Sequence, residues 1–451
     1  MPAEPSRTRT RAAAAMRCSR RSSASSAEIF GGIATDTSAN AIPCDCTDWT
    51  SSWEWKSGKG PRVRIGVVGG AGAMGSVTVA DLAASAGVTE VVIVDPDLER
   101  ARALADRMAS RGAQIVARGT DVPLVESLAG CAAVVNASGH AHNIAVMEAC
   151  LAVGSHYTDL GGLFHVAVRQ YEWNDRFADA GLTATLSMGS APGLTNLLAA
   201  RGIELGQMDT VESIEIADAV VPGRAYHPSE PYGPPYAALT LIEEYTAPAP
   251  QFVDGAIDFF PAGSGARTYA FPGGDVECVY TIHSEPATLP RSYADRGIQR
   301  VEWRLGLAPA DHVRLLSFVA SGLASDEPVT IDGVSVKPAD VLIAVLARQA
   351  RNEIATPDPG AIEWFRVITS GTRNGSGVTV TCDVEVTDPP SGEFSGGAWV
   401  TGVPPSIAAQ IMASGRALLT GVHGPELTMP LDLFFAELAG RGMIPLDRID
   451  D

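Results

Sequence analysis

Residues 63–76 read VRIGVVGGAGAMGS, and a second apolar run at 90–94, EVVIV, ends in Asp95. Val63–Val68 has the near-continuous apolar pattern of a parallel strand buried on both faces. Gly70, Gly72 and Gly75 follow in G-x-G-x-x-G spacing, and an amphipathic stretch runs from Ser76 to Ala86. Strand, glycine loop, helix, strand and acid, in that order, is the dinucleotide-binding arrangement. Gly70 is expected to make the tight turn, Gly72 to let backbone approach a pyrophosphate, and Gly75 to let helix pack on strand. Ala73 and Met74, between the glycines, are expected to lie against the cofactor, with the N-terminus of the following helix offering free N–H groups to the phosphates. A carboxylate at Asp95 accepts ribose hydroxyls and repels a 2′-phosphate, so NAD is the expected cofactor. Arg100 and Arg102 leave NADP open.

The alternation continues outward. Strands are predicted at Gln114–Ala117, Ala132–Asn136, His156–Leu160 and Leu182–Leu186. Helices are predicted at Val122–Leu128, Asn143–Ala152 and Val166–Ala180. This is an α/β chain with a doubly wound parallel Rossmann sheet. Ligands bind at the carboxyl ends of such strands. That singles out Asn136 with Ala137, Ser138, Gly139 and His140, then Asp159 with Gly161 and Gly162, then Ser187 to Gly193, including Gly189. Beyond them, Val211–Ala217, Val276–His283, Arg300–Leu307, Ile362–Thr369 and Val378–Val386 read as strands of a mixed sheet. Asp311–Leu323, Ala339–Ala350, 403–415 and 430–441 read as helices.

Three segments carry a resemblance: HYTDLGG (156–162), SMGSAPGLTNLL (187–198), and TGVPPSIAAQI with GVHGPEL and FFAELAGRGM (401–443). VEWR (301–304) and DGVSVKPADVLIAVL (332–346) extend it. Together they resemble the saccharopine dehydrogenase-like family, most closely its bacterial L-lysine 6-dehydrogenase branch. The resemblance implies a Rossmann domain, an α/β substrate and dimerisation domain, and a C-terminal segment that returns to the Rossmann domain. The boundaries expected here are 61–190, 191–400 and 401–451. The implied chemistry is hydride transfer between a nicotinamide cofactor and a carbon bearing an amine, as in an NAD-dependent amino-acid dehydrogenase. The leading expectation is oxidative deamination of the lysine type. Formation or cleavage of a secondary amine, or NAD retention without net redox, are the alternatives. Gly70, Gly72, Gly75, Asp95, Asn136, Asp159, Gly161, Gly162, Pro192 and Gly193 occupy motif positions. Arg291 in TLPRS and Tyr236 in GPPYAAL match a family arginine and tyrosine. The stretch Ser138-Gly139-His140-Ala141-His142 departs from the aromatic or Gly-Pro residues of the family.

Amine oxidation needs a base within hydrogen-bond reach and an anchor for a substrate carboxylate. His140 is the first candidate base, because imidazole titrates near neutrality. His142 is a second, and either could instead cap the next helix. Asp159 could orient the substrate amine or the nicotinamide amide, or serve as a turn aspartate. Tyr236 lies in a Pro- and Gly-rich loop, where catalytic residues concentrate. Arg291 is preferred to Arg224 as carboxylate anchor, and His283 could line the pocket.

Composition narrows the field. The 451 residues carry a formal charge of −19, from 33 Lys+Arg against 52 Asp+Glu. Nonspecific nucleic-acid binding needs a basic surface and is not expected. Only Lys56, Lys59 and Lys337 are lysines, so Schiff-base catalysis has almost no candidates. Residues 1–60 hold eight basic and six acidic residues, which leaves −21 on the rest of the chain. An acidic body suits a cationic amino acid or diamine. The arginine- and serine-rich start resembles a transit peptide in composition but is expected to be a disordered or processed extension. No apolar run reaches the length of a spanning helix, so no membrane partner is expected. Seven dispersed cysteines read as reduced thiols in a cytoplasmic protein. No HExxH or paired CxxC is present, and no metal is expected. Strand edges in the second domain suggest a homodimer or a dimer-based oligomer.

Overall fold

A computed structural model describes residues 63–161, 163–225, 230–351, 360–389 and 391–450. The proposed tail and Gly162 lie outside the described residues. The first half runs β1 (Val63–Val68), α1 (Ala73–Ala84), β2 (Val88–Val94), α2 (Leu98–Met108), β3 (Gln114–Arg118), α3 (Leu124–Leu128), β4 (Ala133–Asn136), α4 (Asn143–Val153), β5 (His156–Asp159), α5 (Phe164–Gln170), α6 (Asn174–Asp179), β6 (Thr183–Thr185) and α7 (Leu194–Leu205). There follow β7 (Thr210–Val221), α8 (Ala238–Thr246), β8 (Ala249–Val253), β9 (Ala256–Phe260), β10 (Arg267–Phe271), β11 (Gly274–Cys278), α9 (Glu285–Ser292), β12 (Arg300–Gly306) and α10 (Pro309–Ala320). The chain ends with β13 (Val329–Ile331), β14 (Val334–Val336), α11 (Pro338–Arg351), β15 (Ile362–Arg373), β16 (Ser376–Val386), α12 (Gly396–Ala413), β17 (Gly421–His423), α13 (Pro425–Thr428), α14 (Leu431–Ala439) and β18 (Leu446–Asp450).

The first sheet has the order β17-β6-β5-β4-β1-β2-β3 with every pair parallel. This is a Rossmann-type sheet, and its order reverses between β1 and β4, where ligands bind. The second sheet, β18-β16-β15-β7-β12-β8-β9, is mixed. β7 pairs parallel with β12 and antiparallel with β15. The fold is therefore α/β, with a parallel sheet and a mixed one. Helix α7 joins them. Its Leu197 and Leu198 share one core with Ile214 and Ile216 of β7, Trp303 of β12 and Val403 and Ile407 of α12.

The C-terminal region divides between the sheets. Helix α12 packs along α1, and β17 extends the parallel sheet beside β6. Strand β18 instead pairs with β16, so the last strand belongs to the mixed sheet.

Several expected elements differ from those found. The helix expected at 403–415 begins at Gly396 and runs through Pro404 and Pro405. Interior proline disfavours a helix, yet here burial of α12 against α1 outweighs it. The strand expected at Val276–His283 stops at Cys278; Val279 keeps a single bridge to Leu305, and α9 begins at Glu285. The helix expected at Val166–Ala180 is α5 and α6 joined through a 3₁₀ turn at Tyr171–Trp173. The left-handed residue of the glycine loop is Gly69, at φ 75°, and not Gly70. Gly69 accepts the Gly72 N–H, which closes the turn one residue earlier than the spacing suggests.

A Cβ at Gly402 would stand 2.6 Å from Cβ of Val77 and 2.8 Å from the Met74 carbonyl. Gly402→Leu should therefore push α12 away from α1 and the loop before it. The expected loss is about 1–3 kcal/mol, as for overpacked cores. Urea unfolding measures it, and an unchanged midpoint would contradict this packing.

Candidate active site

The glycine loop is built to hold an anion. Helix α1 has no side-chain cap and no acid in its first turn, so its leading N–H groups remain available. A Cβ on Gly75 would collide with the Gly69 carbonyl, which explains the glycine there. Asp95, at the end of β2, accepts the Ala71 N–H at 2.9 Å and the Asp97 N–H at 3.0 Å. Arg100 donates to the Ala71 carbonyl at 2.8 Å. The loop is thus tied to the end of β2 by an acid and to α2 by a base. These residues fit a nicotinamide dinucleotide, its pyrophosphate at the α1 N-terminus and its ribose beside Asp95.

The neighbouring strand ends are tied by a buried polar network. Asp159, 1% exposed, ends β5. One oxygen accepts the Ser187 N–H at 2.7 Å and the Gly161 N–H at 2.9 Å. The other accepts Gln170 at 2.7 Å, the Tyr157 hydroxyl at 2.8 Å and Asn143 at 3.3 Å. Burial raises the Asp159 carboxyl, and the donors pull it back. Five donors exceed the roughly four lone-pair sites of a carboxylate, so none is left for a substrate amine. Asn136 donates to Asn143 at 2.9 Å and accepts the Ser138 hydroxyl at 2.6 Å. Ala137 stays on the sheet, donating to Val68. A Cβ on Gly161 would meet the Pro192 ring at 2.6 Å, and one on Gly189 the Leu160 carbonyl at 2.5 Å. These two glycines allow the turns after β5 and β6 to nest together, with Gly193 bridging to Gly189.

Across from the strand ends stands an acidic wall. His140, in a 3₁₀ turn before α4, points Nε2 at Glu243 of α8, 3.8 Å away. Burial and His142 lower the imidazole of His140, and burial raises the Glu243 carboxyl. His142 itself is exposed. The Tyr236 hydroxyl donates to Glu244, the next residue on α8. Burial pushes Glu244 up to about 7, while His283 and Tyr236 favour its charged form and Glu243 and Glu285 oppose it. Tyr236 is raised well above its usual range by burial and Glu244, so it stays a donor. His283 bonds Glu285 and stacks on Trp303 with ring centres 3.7 Å apart. Thr195 donates to the second Glu285 oxygen at 2.9 Å. Asp218 of β7 and Glu363 of β15 share a hydrogen bond, and burial raises both, Glu363 to about 7.

The structure thus brings His140, Tyr236 and His283 to one wall. Arg291 lies at the far end of α9 from Glu285, exposed, its guanidinium 4.8 Å above the Tyr171 ring. It forms no ion pair among the described residues. Arg224 is held by Glu230 through two bonds of 3.0 and 2.7 Å. His156 accepts the Thr183 N–H at 3.0 Å, a role in the sheet. Sequence reasoning missed Asp218, Glu244, Glu285 and Glu363. The usable signal was strand phase. Asp218 follows Ile214 and Ile216 on the core face, and Glu363 precedes Phe365 and Val367 there. Among the described residues, no group of three His, Cys, Asp or Glu could hold a metal ion, and no helix is long and apolar enough to cross a membrane.

Comparison with known proteins agrees with this construction. The family model of the saccharopine dehydrogenase NADP binding domain matches residues 65–185, and that of the saccharopine dehydrogenase C-terminal domain matches 189–443. Carboxyaminopropylagmatine dehydrogenase of Synechocystis sp. is 24% identical over 389 residues, 83% of this chain and 95% of that protein. Carboxynorspermidine synthase of Vibrio cholerae is 25% identical over 335 residues, 69% of this chain and 76% of that protein. The structure of apo saccharopine dehydrogenase (L-Glu forming) from Saccharomyces cerevisiae superposes with a TM-score of 0.63 at 15% identity, covering 86% of this chain and all of that one.

Asp159→Ala would strand five donors at once. At about 1–3 kcal/mol for each unsatisfied buried group, with partial relief by water, the stability loss should be at least about 3 kcal/mol. Denaturant unfolding checks this, and a wild-type midpoint would refute the network.

Proposed function

Since the chain belongs to the saccharopine dehydrogenase family, we propose that it makes or breaks a secondary amine between a cationic amine and a carboxylate-bearing carbonyl carbon. The observation that carries this reading is the acidic wall of Glu243, Glu244, Asp218 and Glu363, which meets the strand ends of the parallel sheet at His140. The relatives named for carboxyaminopropylagmatine and carboxynorspermidine support it, since both names denote carboxylated derivatives of cationic amines. A bound nicotinamide dinucleotide supplies or accepts the hydride at the carbon attached to nitrogen.

The chain's own groups handle protons and orientation. In the reductive direction amine and carbonyl lose water to form an imine, and hydride at carbon with a proton at nitrogen gives the secondary amine. His140, neutral near pH 7, takes a proton from the substrate ammonium so that the free amine can attack the carbonyl, with Glu243 steadying the imidazolium. Glu244 exchanges the second proton near neutrality, and Tyr236 holds it in place. Arg291 receives the substrate carboxylate, because its fork suits two oxygens and no acid occupies it. Asp159 is a positioning residue that fixes the strand ends. Asp95 and Asp97 favour NAD by repelling a 2′-phosphate.

Oxidation of the terminal amine of lysine with loss of ammonia is the second reading. The same wall would hold the ammonium, and the unpaired Arg291 the carboxylate. Two further readings concern setting and assembly. Buried free thiols at Cys131, Cys150, Cys278 and Cys382 support a reducing, cytoplasmic location. Exposed Val329, Ile331 and Val334 on the β13–β14 hairpin support a homodimer that covers them.

Absorbance at 340 nm separates the chemistries. NADH or NADPH consumption only when a diamine and an α-keto acid are both present supports the secondary amine. NADH formation with ammonia from L-lysine favours the second reading, and no turnover with any amine overturns both. The pH profile should carry a limb near pH 7 from Glu244. Because burial raises that carboxyl, its base form is present above about 7 and lost below. Glu244→Gln should remove this limb and lower kcat by about 10²-fold or more, and an unchanged profile would contradict the role.

A further inference from the structure

His283 and Glu285 form a second histidine–carboxylate pair, and the proton transfers at His140 and Glu244 do not involve it. It is closed more tightly than His140 and Glu243, which stand 3.8 Å apart with both side chains partly exposed. His283 is 7% exposed and Glu285 is fully buried. Nδ1 of His283 hydrogen-bonds one Glu285 oxygen, and Thr195 of α7 donates to the other at 2.9 Å. The ring lies flat on Trp303, 7° from parallel. Stacking fixes the plane of the imidazole, and the bond to Glu285 fixes its rotation within that plane. Nε2 is therefore held in one direction, away from Glu285.

Nε2 is the free end of this pair. It has no hydrogen-bond partner among the described residues and is not sealed from solvent. A buried imidazole that ties one nitrogen to a carboxylate and leaves the other open has a fixed tautomer and one usable proton site. Ser284, the next residue, meets the Ser187 hydroxyl at 3.1 Å, just past β6 at the ligand end of the parallel sheet. Glu244 of α8 lies within electrostatic reach of His283. The open nitrogen thus stands where the ligand end of the parallel sheet meets the acidic wall. The other acids near the pair are Asp218 of β7 and Glu426 of α13, both within electrostatic reach of Glu285. Joining an amine to a carbonyl expels water, and an oxygen leaves readily only when it is protonated.

We infer that His283, set by Glu285 and the Trp303 ring, is the acid that protonates the departing oxygen when the carbinolamine becomes an imine. In the reductive direction the amine adds to the carbonyl carbon and gives the carbinolamine. The Nε2 proton of His283 passes to its oxygen as the C–O bond breaks. The nitrogen lone pair forms the C=N bond, water leaves, and a cationic imine remains beside the acidic wall. His283 is left neutral with Nδ1–H still on Glu285, and it takes its next proton from solvent. In the reverse direction Nε2 accepts a proton from the water that adds to the imine. Glu285 acts through His283 and is a positioning residue, as the carboxylate of a catalytic triad is. This rests on the proposed C–N reading, because only that chemistry passes through an imine.

Single-turnover mixing tests it. Protein loaded with NADH or NADPH meets the diamine and α-keto acid that wild type turns over fastest, and absorbance at 340 nm is followed with ordinary and with C4-deuterated cofactor. His283→Asn keeps a donor toward Glu285 but carries no titrating nitrogen. It should bind the cofactor as wild type does in a fluorescence titration, yet oxidise it about 10²-fold more slowly or worse. The slowed reaction should show no deuterium effect, because loss of water then limits the rate before hydride moves. Glu285→Gln keeps a bond to Nδ1 and removes the charge, so it should slow the reaction by a smaller factor, again without a deuterium effect. It decides the matter alone if His283→Asn does not fold. Wild-type rates in the variants overturn the inference. A slowed reaction with a clear deuterium effect overturns it too, since the fault then lies in cofactor placement. Each of these results leaves the C–N reading standing, whereas no turnover by wild type with any amine and keto acid sinks that reading and this inference with it.

Discussion

The carboxylate of Asp159 accepts hydrogen bonds from the turn after its own strand, from the Ser187 turn after β6, and from α4 and α5. Everything at the ligand end of the parallel sheet depends on it. It holds the Asn136–Asn143 contact, from which the His140 turn projects. It also sets the Ser187–Gly193 turn, and with that the start of α7, whose apolar face carries the chain into the second sheet. A group that engaged cannot also serve a substrate. Rigid placement of the strand ends is its contribution, as preorganised sites require.

The two faces of the cleft follow opposite rules. The Rossmann side satisfies its polar groups internally and leaves only backbone N–H groups and a few side chains to meet a ligand. The facing wall leaves carboxyls unpaired by base, at a desolvation cost the rest of the fold must offset. Real proteins break the rules of core patterning at functional sites, and Asp218 and Glu363 break them in adjacent strands. The wall also gives the acidic body a local meaning. These few acids stand together beside His140 and Tyr236.

Much of this was legible in the sequence. Periodicity and glycine spacing gave the parallel sheet, because buried strands and phosphate loops constrain local residue types strongly. Motif segments gave the family, which the domain matches support. Part of the role of Asp159 was legible, since a strand-end aspartate before two glycines offers a turn role and it does accept the Gly161 N–H. The rest of its network and the acidic wall were not, because its donors Gln170 and Ser187 are remote in sequence. Glu244 lay hidden in the pair Glu243-Glu244 on an otherwise ordinary helix. Asp218 and Glu363 announced themselves only through strand phase, and that phase became visible once β7 and β15 were known to pair. Arg291 matched a motif position, yet its guanidinium stacks on Tyr171 rather than reaching the acids on α8.

The central claim is that hydride moves to or from a carbon bound to nitrogen. Mass spectrometry after incubation with C4-deuterated NADH or NADPH, a diamine and an α-keto acid tests it directly. The account predicts one deuterium in a new secondary amine, on the carbon that was the keto carbon. Deuterium in the hydroxy acid of the keto substrate, with no amine adduct, would contradict it.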